Sequence, residues 1–136
     1  MARIIGIDFG EKRTGIAVTD PLQMIASGLT TVSTTELMAY LKDYVSQEEV
    51  ELIVVGQPKR MNNEFSDVEQ RIQLFIEALN IEIPQIAVVR VDERFTSKIA
   101  FQSMLDAGVK KKDRRKKELL DQVSATVILQ SYLYNR

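Results

Sequence analysis

At 136 residues the chain is long enough for one hydrophobic core and one domain, residues 1–136, and too short for two. Its 45% hydrophobic and 27% charged residues are ordinary for a soluble globular protein. It has no cysteine and no histidine, which excludes disulfides, thiolate metal sites, the usual zinc ligands and the Ser-His-Asp and Cys-His mechanisms, and leaves acid–base or metal chemistry to carboxylates, lysine, tyrosine and water.

The net charge of -1 conceals an asymmetry. Lys110, Lys111, Lys112, Arg114, Arg115, Lys116 and Lys117 against Asp113 make one segment +6, so the rest is -7. A basic segment on an acidic body implies a local preference for an anion. Met1-Ala2-Arg3 runs straight into an apolar stretch, so no leader is expected. No apolar run approaches the roughly 20 residues of a membrane span, so the expected location is the cytoplasm, with no membrane partner.

In chain order, Arg3 to Phe9 and Arg13 to Thr19 read as a hairpin with Gly10 and Gly15 around its turn. Ile25 to Ser33 is a third strand interrupted by Gly28, and Asp20 before Pro21 is a turn residue. Thr34 or Thr35 caps a helix with Leu37, Leu41, Tyr44 and Val45 at helical spacing. Glu51 to Val55 is a short buried strand ending at Gly56, and Gln57 to Phe65 is a loop. Ser66 and Glu69 form a capping box before a helix with Val68, Ile72, Phe75, Ile76 and Leu79 on one face. Ile86 to Val91 is a second buried strand closed by Asp92-Glu93-Arg94. Thr96 or Ser97 caps a short helix ending at Gly108. Glu118 to Tyr134 is the last helix, with Leu119, Leu120, Val123, Val127 and Gln130 along its inner stripe.

This order predicts an α/β fold: a mixed five-stranded sheet with helices on its faces and strands one, four and five parallel. Ligands of such sheets sit off the C-terminal ends of the parallel strands. Asp8 ends the first strand, Glu93 follows the fifth, Gly56 leaves room between them, and Asp121 lies one turn into the last helix beside Ser124 and Ala125. If that helix docks across the same edge, the three carboxylates converge, and they cannot all stay ionised without a cation. Oxygen-only ligands select Mg²⁺ or Mn²⁺, and two ions about 4 Å apart activate a water and stabilise a leaving oxygen of a phosphodiester. Each carboxylate also has a plain reading: Asp8 as a turn residue, Glu93 as half of a surface ion pair with Arg94, Asp121 as a partner of the helix dipole.

The run Ile7-Asp8-Phe9-Gly10-Glu11-Lys12-Arg13-Thr14-Gly15-Ile16-Ala17-Val18 resembles the opening of the YqgF family of Holliday junction resolvase-like proteins. Val54-Val55-Gly56-Gln57-Pro58 with Met61, Asp92-Glu93-Arg94 with Thr96-Ser97, and Asp121-Gln122-Val123-Ser124-Ala125 with Ile128-Leu129 resemble its later blocks, in order, over nearly the whole chain. The resemblance implies a ribonuclease H-like fold with sheet order 3-2-1-4-5 and helices on both faces. It also implies a metal-dependent nuclease whose acidic triad is Asp8, Glu93 and Asp121, acting on branched DNA or on the 5′ end of the 16S ribosomal RNA precursor. Gln57 and Asn62-Asn63 depart from the family's loop pattern, which bears on loop shape and substrate contacts rather than on the triad.

Lys12 and Arg13, in the turn beside Asp8, are placed to meet a phosphate or are simply solvated. Arg94 either neutralises the scissile phosphate or orients Glu93. Thr96 and Ser97 are helix caps first, although their N–H groups can also receive a phosphate oxygen. The Lys110 to Lys117 run, directly before Asp121, is expected to contact nucleic acid in a salt-dependent, sequence-blind way. A resolvase needs two symmetric cuts and hence a two-fold dimer. The sequence shows no apolar dimer face, which favours the RNA precursor as substrate and leaves monomer and homodimer both open. Two other classes compete: a fragment of a sugar-kinase or actin-like ATPase, which ATP binding would reveal, and a non-catalytic RNA-binding module, which would have no cleavage to lose on Asp8→Asn.

Overall fold

The computed structural model describes residues 2–58, 68–92 and 117–136, with residues 117 and 118 described by their backbone alone. Five strands form one sheet: β1 (Arg3–Asp8), β2 (Arg13–Thr19), β3 (Ala26–Ser33), β4 (Val50–Gln57) and β5 (Ala87–Asp92). Their order is β3-β2-β1-β4-β5, as expected. β1–β2 and β2–β3 pair antiparallel, whereas β1–β4 and β4–β5 pair parallel. Among the described residues three α-helices, α1 (Leu37–Gln47), α2 (Glu69–Glu82) and α3 (Lys117–Asn135), accompany it.

The pleat sorts the core into two halves. Ile5, Ile7, Ile16, Ile53 and Val55 point to one face and pack with Leu37 and Leu41 of α1 and Ile72 and Leu79 of α2. Ile4, Ala17, Ala26 and Val54 point to the other and pack with Ala125, Ile128 and Leu129 of α3. β1 and β4 are covered on both faces, which is why they read as unbroken apolar runs. Among the described residues no helix is long and apolar enough to cross a membrane.

Several local expectations are corrected. Gly15 is not a turn residue; it lies inside β2, opposite Asp8 of β1. Gly28 does not break β3; the irregularity falls between Ile16–Thr30 and Ala17–Gly28, which leaves Leu29 as the extra residue. Residues 34–36 form a 3-10 turn before α1 whose cap position is Ser33, with no side-chain cap bond, and the Thr34 hydroxyl is engaged with the Gly10 carbonyl instead. β5 is a half-buried edge strand rather than a buried one, since among the described residues only β4 pairs with it. The stripe of α3 that faces the sheet runs through Ser124, Ala125, Ile128 and Leu129, while Gln130 is exposed. Of the expected stripe Val127 is buried, but small Ser124 and Ala125 join Ile128 and Leu129 against the sheet, where Gly6 and Gly15 let the helix come close. Leu22, Met24, Ile25 and Tyr134 are exposed, and Met24, Ile25, Leu133 and Tyr134 line a cavity of about 400 Å³.

Candidate active site

Asp8 is the last residue of the row Ile4, Gly6, Asp8, which faces α3 at the C-terminal end of β1. Its partner across the hairpin is Gly15. A Cβ at position 15 would lie 2.0 Å from the Asp121 carbonyl oxygen, so the backbone of α3 rests directly on β2 at this point. One turn further along, a Cβ at Gly6 would lie 2.8 Å from the Leu129 Cβ and 3.0 Å from the Ala125 carbonyl oxygen. Two glycines thus let α3 approach closer than any side chain would allow, and the approach sets the Asp121 carboxylate beside Asp8.

The electrostatics follow from that approach. Burial, and then the neighbouring Asp121 charge, push the Asp8 carboxyl up from 3.8 to about 7. Asp121 carries a counter-ion: the Arg13 Nε donates to its Oδ2 at 3.2 Å. The expectation that Lys12 and Arg13 share one role is therefore divided. Lys12 is exposed in the turn, whereas Arg13, the first residue of β2, is paired with a carboxylate of the site.

The turn between β1 and β2 is held from outside the hairpin. The Thr34 hydroxyl donates to the Gly10 carbonyl at 2.7 Å, and the Thr34 N–H donates to the Lys12 carbonyl at 3.0 Å. Because the single hydroxyl proton of Thr34 goes to Gly10, the buried Thr14 hydroxyl is the donor in its 2.9 Å contact with Thr34. Sequence reasoning treated Thr34 as a cap and missed this role.

It missed a second pair entirely. Arg90 of β5 donates to both oxygens of Glu69, at 2.7 and 2.8 Å, and to the carbonyls of Val55 and Gly56, at 3.2 and 2.9 Å. Burial pushes Glu69 up, but the hydrogen bonds and charge of Arg90, with Gln73 and Gln57, outweigh it and hold the carboxyl below its usual range. Glu69 is thus committed to Arg90, and Ser66 of the expected capping box lies outside the described residues. The pair ties the start of α2 to the ends of β4 and β5. An arginine inside the apolar run Val88-Val89-Arg90-Val91 was the available signal, since a charge there needs a partner.

Of the expected triad, Asp8 and Asp121 are brought together. β5 ends at Asp92, paired with Gln57, and Glu93 lies outside the described residues. Arg94, Thr96, Ser97 and the basic residues Lys110, Lys111, Lys112, Arg114, Arg115 and Lys116 lie outside them too, while Lys117 begins α3. Among the described residues no group of three or more acidic side chains forms a metal centre. The pair that is present still fits a hard divalent cation: its donors are oxygens only, and one of the two carboxyls resists ionisation while the other leans on an arginine.

Residues 2–135 match the family model RuvX, described as Holliday junction resolvase. A protein of Christiangramia forsetii named "Putative pre-16S rRNA nuclease" is 57% identical over 134 residues, covering 98% of this chain and 99% of that protein. Proteins of the same name from Bacteroides fragilis and Flavobacterium psychrophilum are 56% and 52% identical, each covering 98% of this chain and 96% and 97% of their own length. The solved structure of T. thermophilus RuvC in complex with Holliday junction substrate superposes with a TM-score of 0.61 at 14% identity, covering 99% of this chain and 98% of that one. At that identity the likeness speaks for the fold alone, and the fold is ribonuclease H-like.

Proposed function

Because the chain belongs to the RuvX family of Holliday junction resolvases, we propose that it is a cytoplasmic, divalent-cation-dependent endonuclease of structured nucleic acid, acting as one ribonuclease H-like domain over residues 1–136. Its substrate is the 16S ribosomal RNA precursor, matured at the 5′ end during ribosome biogenesis, and the reaction is hydrolysis of a phosphodiester bond. The observation that carries the reading is the seating of Asp121 over Gly15 beside Asp8, in a chain 52–57% identical along its whole length to relatives bearing the nuclease name.

In this reading Asp8 and Asp121, with Glu93, hold Mg²⁺ or Mn²⁺. Two ions held there supply the Lewis acidity that activates a water and steadies the leaving oxygen. The chain's own residues do the rest. Asp8 and Asp121 present their carboxylates from a strand end and a helix, both rigid elements. Thr34 fixes the turn that carries exposed Lys12, whose charge in this reading meets the substrate backbone. Arg94 and the basic residues 110–117 supply further backbone attraction, which is salt-dependent.

Branched DNA is the second reading, favoured by the family description. It requires a homodimer for paired cuts, whereas the RNA reading is met by a monomer. Purified protein incubated with Mn²⁺ and either a 16S precursor fragment or a four-way DNA junction separates the two. Cleavage of the precursor near the mature 5′ end, lost in Asp8→Asn, is the expected result. Symmetric junction cuts with an intact precursor would move the assignment to DNA, and silence on both would end the nuclease reading.

A further inference from the structure

The ion pair between Arg13 and Asp121 has no evident structural purpose. Both side chains are partly open to solvent, at 34% and 23% exposure, and such pairs add little to stability. The residues beneath them are held without it: Arg13 is fixed in the β2–β3 ladder opposite Ser33, and α3 is seated by Gly6 and Gly15. The pair does, however, place a guanidinium on one of the two carboxylates that a divalent cation would need.

We infer that Arg13 is a resident counter-ion that yields Asp121 when a divalent cation binds and then turns to the substrate phosphate. The inference rests on the nuclease reading of this site. A divalent cation between two carboxylates outcompetes the Arg13 guanidinium for Asp121, because it carries twice the charge on a smaller radius. The backbone of Arg13 cannot follow its side chain away. A Cβ at Gly10 would lie 2.3 Å from the Arg13 carbonyl, and Thr34 grips Gly10 and Lys12, so the turn is tight. Only the side chain moves, pivoting at the rim beside exposed Lys12. Its planar fork of donors matches a phosphate as well as it matches a carboxylate. Arg13 is a positioning residue for Asp121 in the metal-free protein and a phosphate contact only once metal is present. The exchange couples the two ligands: substrate phosphate gains a partner when the cation arrives.

The test compares wild type with Arg13→Gln and Arg13→Lys by calorimetric Mn²⁺ titration without nucleic acid. Arg13→Gln removes the competing charge and is expected to bind Mn²⁺ about fivefold tighter, while Arg13→Lys, which keeps the charge, stays within about twofold of wild type. A labelled RNA hairpin is then titrated in Ca²⁺ and in EDTA. Arg13→Gln is expected to weaken binding about tenfold in Ca²⁺ and less than twofold in EDTA. Equal or weaker Mn²⁺ binding by Arg13→Gln, or equal weakening of RNA binding in both buffers, would overturn the inference. Those results alongside normal wild-type cleavage would leave the nuclease reading intact. Tighter Mn²⁺ binding by Arg13→Gln, with no cleavage of either substrate by the wild type, would sink the nuclease reading and with it the turn of Arg13 to a substrate phosphate, leaving only the release of Asp121 to metal, and a wild type that binds no Mn²⁺ would sink both.

Discussion

Gly15 and Asp121, 106 positions apart in the chain, meet so closely that a single methyl group at position 15 would lie 2.0 Å from the Asp121 carbonyl oxygen. The contact is backbone against strand, so neither side can relax by changing a rotamer.

Gly15→Ala is therefore expected to displace α3 and the carboxylate it carries. Overpacking of this kind costs about 1–3 kcal/mol, and a misplaced ligand lowers cleavage by at least about a hundredfold. Gly28→Ala is the control. Its Cβ would meet Gln122 at an ordinary 3.4 Å, so stability is expected to change by less than about 1 kcal/mol. Chemical denaturation and a cleavage assay on both variants check the contrast.

Asp8 predicts a pH dependence. Its folded pKa, about 7, lies above the ordinary 3.8, so between those values the folded protein holds a proton that the unfolded chain has lost. Metal-free stability accordingly falls as pH rises from about 4 to 7 and levels off above. Asp8→Asn removes that penalty. It is expected to raise the melting temperature of the metal-free protein at pH 8 by several degrees, to raise it less at pH 5, to leave it almost unchanged below about pH 4, and to abolish cleavage. Melting curves in EDTA across this range provide the measurement. By the same linkage, divalent-ion affinity weakens as pH falls below about 7, because the ion must displace the Asp8 proton.

Arg90→Met leaves the Glu69 carboxylate, 3% exposed, without its main partner. Removing one side of a buried pair costs roughly 3–5 kcal/mol. Glu69 has a depressed pKa, so the stability it contributes is present above its unfolded pKa and is lost as pH falls through the folded value. The gap between wild type and Arg90→Met should therefore shrink in acid. A gap that stays constant down to pH 3 would show that the charge pair is not its source.

Thr34→Val tests the anchoring of the first turn. It removes the donor to Gly10 and strands the buried Thr14 hydroxyl, at a cost of about 1–3 kcal/mol. Thr34→Ser keeps the hydroxyl and is expected to restore most of the loss. If the turn positions Lys12 for substrate, Thr34→Val also raises KM, and Thr34→Ser returns it towards wild type.

Much of the fold was legible without coordinates, because strands and amphipathic helices write their burial into local spacing. The apolar runs Ile4-Ile5-Gly6-Ile7 and Ile53-Val54-Val55 announced central strands, and Ile72, Phe75, Ile76 and Leu79 announced the buried side of α2. Asp8 was legible as well, since a carboxylate closing an apolar run demands an explanation.

What the linear chain could not determine was which small residues are contact points. Gly15 looked like part of a turn because a glycine's role depends on what approaches it, and the visitor, α3, arrives from more than 100 residues away. For the same reason the sequence did not say which carboxylate Arg13 or Arg90 would meet: Arg90 inside an apolar run called for a partner, but charge complementarity between distant residues has no period that would name Glu69 or Asp121. By itself the sequence determined the elements, their order and the kind of chemistry its side chains permit. Only the tertiary structure decided that two glycines bring a helix backbone onto the sheet and place one carboxylate beside another, because close packing is a property of surfaces that meet and not of either surface alone.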